Sequence, residues 1–193
     1  MHGEIKDKAY SGENRSIRLE ALKQLKRTEI GVKTIKGIAK SHRFKVTRLD
    51  AIELSINELN DQDTLWFAVK NHTRPLIRKR ALSKIRKLEL KHIDYIMQNE
   101  SSSSVMIKLI DLIQNEKLLL YTLDNYDLPI KVIKSIILRI HSYDSFLHVI
   151  THLNKYTSNR NDEMTLIKYI RKKIITNVDE KYQNRLKTLI RLL

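Results

Sequence analysis

One pair of apolar residues, returning at intervals of 27 to 30 positions, constrains this chain more than any other feature. The copies are Ala21-Leu22, Ala51-Ile52, Ala81-Leu82, Leu109-Ile110, Ile136-Ile137 and Leu166-Ile167, and the steps between them are 30, 30, 28, 27 and 30 residues. Each pair sits inside a longer apolar pattern, as in Ile17–Leu25, Thr47–Ser55, Ile77–Ile85, Val105–Ile113, Val132–Ile140 and Asp162–Ile170. A second apolar set lies 13 residues before the first member of each later pair, with another residue three earlier: Ile35/Ile38, Leu65/Ala68, Ile93/Ile96, Leu120/Leu123 and Ile150/Leu153. Spacings of three and four put these side chains on one face of a helix. Polar breaks separate the two helices of each unit: 41–45, 71–75, 99–104, 125–129 and 154–159. Asn suits the end of the first helix and Pro the first turn of the second. One such pair cannot bury its own apolar face, and stacked neighbours can.

Composition agrees. Four Gly and two Pro in 193 residues argue against a turn-rich β fold. Without Cys there is no disulfide framework, no thiolate metal site and no Cys nucleophile. The start, Met1 to Asp7, carries no apolar h-region, and the apolar runs are too short to span a bilayer. These features predict a cytoplasmic chain, or a nuclear one where the host has a nucleus. The expectation is a single all-α domain over 1–193, with 176–193 as a C-terminal capping helix whose face holds Val178, Tyr182, Leu186, Leu189 and Ile190.

The Ile/Val-Arg-x-x-Ala-Leu type segments at 17–22, 47–52 and 77–82 resemble the HEAT-repeat and armadillo-like superfamily. Later copies keep the apolar pattern and lose the Arg. The resemblance runs from about residue 5 to about residue 175 and implies a right-handed α-solenoid of about six antiparallel helix pairs. It says little about function, because that architecture serves scaffolds, regulators and nucleic-acid binders alike. It includes alkylpurine DNA glycosylases, whose groove holds several Trp and Tyr and a catalytic Asp. This chain has one Trp and no recognisable constellation of that kind.

Charge is the compositional anomaly. Lys and Arg number 37 against 22 Asp and Glu, for a net +15. Residues 1–92 carry 22 against 11, residues 93–167 carry 7 against 9, and residues 168–193 carry 8 against 2. A chain this basic attracts polyanions, whether nucleic acid, an acidic protein surface or an anionic membrane. The membrane reading lacks an amphipathic helix with a Trp/Phe-rich face outside the repeats. The leading expectation is a non-catalytic scaffold that contacts nucleic-acid phosphates through Lys40, Arg43, Lys45, Arg48, Arg74, Arg78, Lys79 and Arg80. The competing one is an adaptor that grips a peptide or an acidic protein.

Arg18, Arg48 and Arg78 occupy one repeat position. In HEAT-like arrays an Arg here pairs with a loop acid. The first loop offers Glu13, while 41–46 and 71–76 offer none, although Asp50 or Glu53 could serve. Arg48 and Arg78 are therefore read as either structural or ligand-facing. No Gly-rich phosphate loop, nucleophile elbow or His-Glu-x-x-His pattern appears, so no catalytic residue, cofactor or metal is predicted. His148 and His152 are spaced for a metal but lack a third ligand. His42 and His72 fit the basic edge better than a metal pair. Trp66 reads as core, and Tyr121 with Tyr126, beside Asp124 and Asp127, marks a possible contact spot.

Overall fold

The computed structural model describes residues 2–11, 14–41, 45–59, 61–157 and 159–191. Among them there are thirteen α-helices and no strand. The chain divides into two compact units, Met1–Lys87 and Leu88–Leu193.

The first unit contains α1 (His2–Ser11), α2 (Arg15–Leu25), α3 (Glu29–Ser41), α4 (Lys45–Leu54), α5 (Gln62–Asn71) and α6 (Pro75–Leu82), with a π-helical turn, Ser55–Leu59, after α4. Consecutive helices pair as α1 with α2, α3 with α4, and α5 with α6; α2 then stacks on α4, and α3 stacks on both α1 and α5. Local chemistry sets the ends. The Asn14 side chain accepts from the Ile17 backbone N–H at 3.0 Å, Asp61 does the same for Thr64 at 3.1 Å, and Pro75 opens α6. The bend from α2 into α3 requires Gly31, since a Cβ there would lie 1.8 Å from the Leu25 carbonyl oxygen.

The second unit contains α7 (Leu90–Asn99), α8 (Ser103–Leu112), α9 (Glu116–Asn125), α10 (Ile130–Arg139), α11 (Tyr143–Thr151), a 3₁₀ turn (Leu153–Tyr156), α12 (Arg160–Asn177) and α13 (Glu180–Arg191). Here α8, α10 and α12 stack in order, α7 pairs with α8, α9 with α10, and α13 packs on α11 and α12. Glu116 ties one pair to the next. Its carboxylate accepts from the His141 N–H at 2.7 Å and from the Ser142 and Ser145 hydroxyls at 2.7 and 2.6 Å, at the start of α11. Burial would raise its pKa, but these bonds outweigh burial and hold it below the ordinary carboxylate value.

All twelve residues of the repeated pair are buried, none more than 5% exposed. The preceding set is buried as well, with one shift of phase. In α9 the core residue is Leu119 and not Leu120, which is only partly covered. The last helix also differs in extent from expectation. Α12 runs to Asn177, Val178 caps it, and α13 begins at Glu180. Leu186 and Ile190 are its buried residues; Leu192 and Leu193 lie outside the described residues.

Candidate basic interface

Residues 1–87 hold 21 Lys and Arg against 10 Asp and Glu, a surplus of 11. The repeated arginines meet different fates. Arg18, on α2, donates from Nε to Asp50 Oδ2 at 3.0 Å, and its Nη2 lies 3.0 Å from the same oxygen. That acid comes from the next stacked helix, α4, while Glu13 lies outside the described residues. Asp50 Oδ1 takes Arg15 Nε at 3.0 Å, and Arg15 reaches on to Glu53 at 3.0 Å. Glu53 also faces Arg74 at 3.7 Å. Arg78 has a loop partner after all, but it is backbone: Nη1 donates to the carbonyls of His72 and Thr73 at 2.7 and 3.0 Å. Arg48 is half-buried beside Leu49, Ile52, Phe67 and Asn71 around a cleft of about 200 Å³.

The other expected contacts divide as follows. Lys79 and Arg80 are exposed in the last turn of α6, with no carboxylate within ion-pair distance among the described residues. Arg74 keeps most of its side chain in solvent, 69% exposed, while it faces Glu53. Lys40, at the end of α3, stands 3.9 Å from Asp63, and Lys36 on the same helix pairs with Asp61 at 2.9 Å. Arg43 lies outside the described residues, and so does the Lys45 side chain.

His72 departs from its expected place on the basic edge. It is 2% exposed, its Nδ1 accepts from the Arg74 N–H at 3.1 Å, and its Nε2 is buried without a hydrogen-bond partner. Burial, helped by Arg74 and Arg78 and opposed by Glu53, pushes its pKa below the usual 6.5. The ring is therefore neutral at pH 7 and adds no charge to the edge. Because the unfolded chain takes up the proton first, stability is full above pH 6.5 and falls as pH drops below it. Melting temperatures recorded between neutral pH and about pH 5.5 should fall more steeply for the parent than for His72→Gln. Parallel curves for the two proteins would show that the ring does not titrate as argued. His42 lies outside the described residues.

The second unit holds two polar clusters around Asp94 and Asp124. Tyr121 and Tyr126, although beside Asp124 and Asp127 in sequence, reach back to α7. Both hydroxyls donate to Asp94 Oδ1, at 3.3 and 2.5 Å. Burial first, then the bond to Asp94, raises the Tyr126 pKa above the ordinary range. Asp124 instead takes the Tyr156 hydroxyl at 2.6 Å and His148 Nε2 at 2.9 Å, and the His148 and His152 rings stack at 4.5 Å. Burial would raise the Asp124 pKa, but these bonds outweigh burial and lower it. Asp94 to Tyr126 and Asp124 to Tyr156 are both separations of 32 residues. That shared offset was the available signal, and it requires knowing the repeat length first. Trp66 is half-buried on α5.

Among the described residues no group of three or more His, Cys, Asp or Glu could hold a metal ion, and no helix is long and apolar enough to cross a membrane. No protein-family model, curated protein or solved structure matches the chain.

Proposed function

We propose that this chain is a non-catalytic binding scaffold whose first unit holds nucleic-acid phosphates along a basic edge. We read its architecture as HEAT-like and right-handed, with about six antiparallel helix pairs, three in each unit, and α13 as a closing helix. The burial of every repeated pair and the stacking of alternate helices support that reading. The functional reading is carried by one observation. The pairings of Asp50, Glu53 and Asp61 engage Arg15, Arg18, Arg74 and Lys36, and the surplus cations Lys79 and Arg80 remain in solvent. Solvated cations without carboxylate partners are free to neutralise phosphates, and such contacts position a strand without reading its bases.

Arg78 is a poor probe of this edge, because it holds the carbonyls of its own loop. Lys79→Glu with Arg80→Glu leaves that loop intact. Fluorescence anisotropy with labelled duplex and single strands should show binding by the parent that weakens steeply with salt. The double variant should bind about tenfold more weakly or worse at moderate salt, with a log–log salt slope shallower by about two. Absence of binding by the parent at low salt would overturn the reading and return the charge to steering an acidic protein partner. Equal affinity of parent and variant would overturn the assignment of the edge.

A further inference from the structure

Counted along the chain, residues 93–167 look neutral, at 7 Lys and Arg against 9 Asp and Glu. Counted by helix, the second unit is sharply divided. The stacked helices α8, α10 and α12 carry 9 Lys and Arg against 3 Asp and Glu, a surplus of 6. Helices α7, α9 and α11 carry 2 against 4, a deficit of 2, and α13 carries 4 against 1. The buried residues of the stacked set, such as Leu109, Ile110, Ile136, Ile137, Leu166 and Ile167, face inward. Lys131, Lys168, Arg171 and Lys172 are exposed, whereas Arg139 turns to the Ile113 carbonyl at 2.9 Å.

On α12 the outward face is continuous. Lys168, Arg171 and Lys172 are exposed, and no acid occurs from residue 164 to residue 178. Lys134 of α10 and Lys173 of α12 each place Nζ 5.9 Å from the centre of the Tyr169 ring, which joins the two helices. Lys131 extends the row along α10. Lys91 with Glu89 and His148 with Asp124 are carboxylate contacts of basic groups in this unit, both away from this layer. Arg171 has one weak bond, 3.5 Å to the Ile190 carbonyl.

We propose that the outward face of α10 and α12 is a second polyanion-binding surface, and that its partner is the sugar-phosphate backbone of a nucleic acid. Lys168 and Lys172 are one helical turn apart, about 6 Å along the axis. The stacked neighbour adds a second row roughly 8–10 Å away. Two parallel rows of cations suit a linear polyanion. An anionic membrane would instead call for a contiguous apolar face between the cations, and here Leu138, Met164 and Ile175 are isolated exposed residues. This surface belongs to the other unit, so it stands or falls separately from the basic edge of the first.

The test uses the full chain and the variant Lys134→Glu/Lys168→Glu/Lys172→Glu, which leaves Arg171 in place. Labelled duplex DNA and single-stranded RNA of about 20 nucleotides are titrated across salt, beside Lys79→Glu/Arg80→Glu. The triple variant should bind about tenfold more weakly or worse, with the salt slope shallower by about two to three. The two strand types report which nucleic acid is held. A neutral version, Lys134→Gln/Lys168→Gln/Lys172→Gln, must weaken binding in the same direction and retain the parent's circular dichroism. Parent-like affinity and slope in both versions overturn the proposal even where Lys79→Glu/Arg80→Glu abolishes binding. Loss in the triple variant alone supports it while removing the first-unit edge. A parent that ignores both nucleic acids but binds phosphatidylserine vesicles, with that binding lost in the triple variant, overturns it in favour of a membrane surface.

Discussion

Replacing Asp50 with alanine is expected to cost about 3–5 kcal/mol of unfolding free energy, measured by chemical denaturation. Asp50 is 3% exposed and serves two arginines. Arg18 is the partner that makes the change severe. Its side chain is 11% exposed, and it places two nitrogens on Asp50 Oδ2 at 3.0 Å. A guanidinium cannot shed its proton to escape, so it must stay charged in a largely desolvated place or drag water inward. Glu53→Ala provides the contrast. Glu53 is 21% exposed, and its partners Arg15 and Arg74 are 55% and 69% exposed, so the loss should stay within about 1 kcal/mol. Combining Arg18→Met with Asp50→Leu should recover much of the damage, since an apolar pair of similar volume needs no desolvated charge. A cost below about 1 kcal/mol for Asp50→Ala would mean that Arg18 is served well enough without it.

The repeat also explains what could be read from the residues and what could not. The period was plain because each copy repeats the same burial requirement, and the twelve pair residues are all core. The phase within α9 was not, because Leu118, Leu119 and Leu120 are consecutive and any of them satisfies an apolar template. The Asp50 partner of Arg18 was hidden for a geometric reason. A loop acid such as Glu13 is close in sequence, whereas Asp50 comes from a stacked helix 32 residues away. Ion pairs between stacked helices follow the repeat length, and a local window does not see them. His72 misled because a histidine between Asn71 and Thr73 looks solvated, although the Arg74 N–H and the surrounding core draw it inward. The charge of the second unit misled in the same way. A linear count averages helices of different charge.

The repeat itself makes the sharpest demand on two neighbouring residues of α10. Ile137 and Leu138 are adjacent and chemically alike, yet Ile137 is fully buried and Leu138 is 45% exposed. Α10 packs on α8 on one side and α12 on the other, so its inward face has little room to collapse after a truncation. Ile137→Ala should therefore cost about 2–5 kcal/mol, from lost transfer energy and the cavity left behind. Leu138→Ala should stay within about 0.5 kcal/mol, since little apolar area leaves the core and alanine favours the helix. The pair matters more than either value. Denaturation midpoints for both variants, measured with the same denaturant slope, decide it. Comparable losses at the two positions would mean that the inward face of α10 is not the one the repeated pair marks, and the stacking of α8, α10 and α12 would lose its footing.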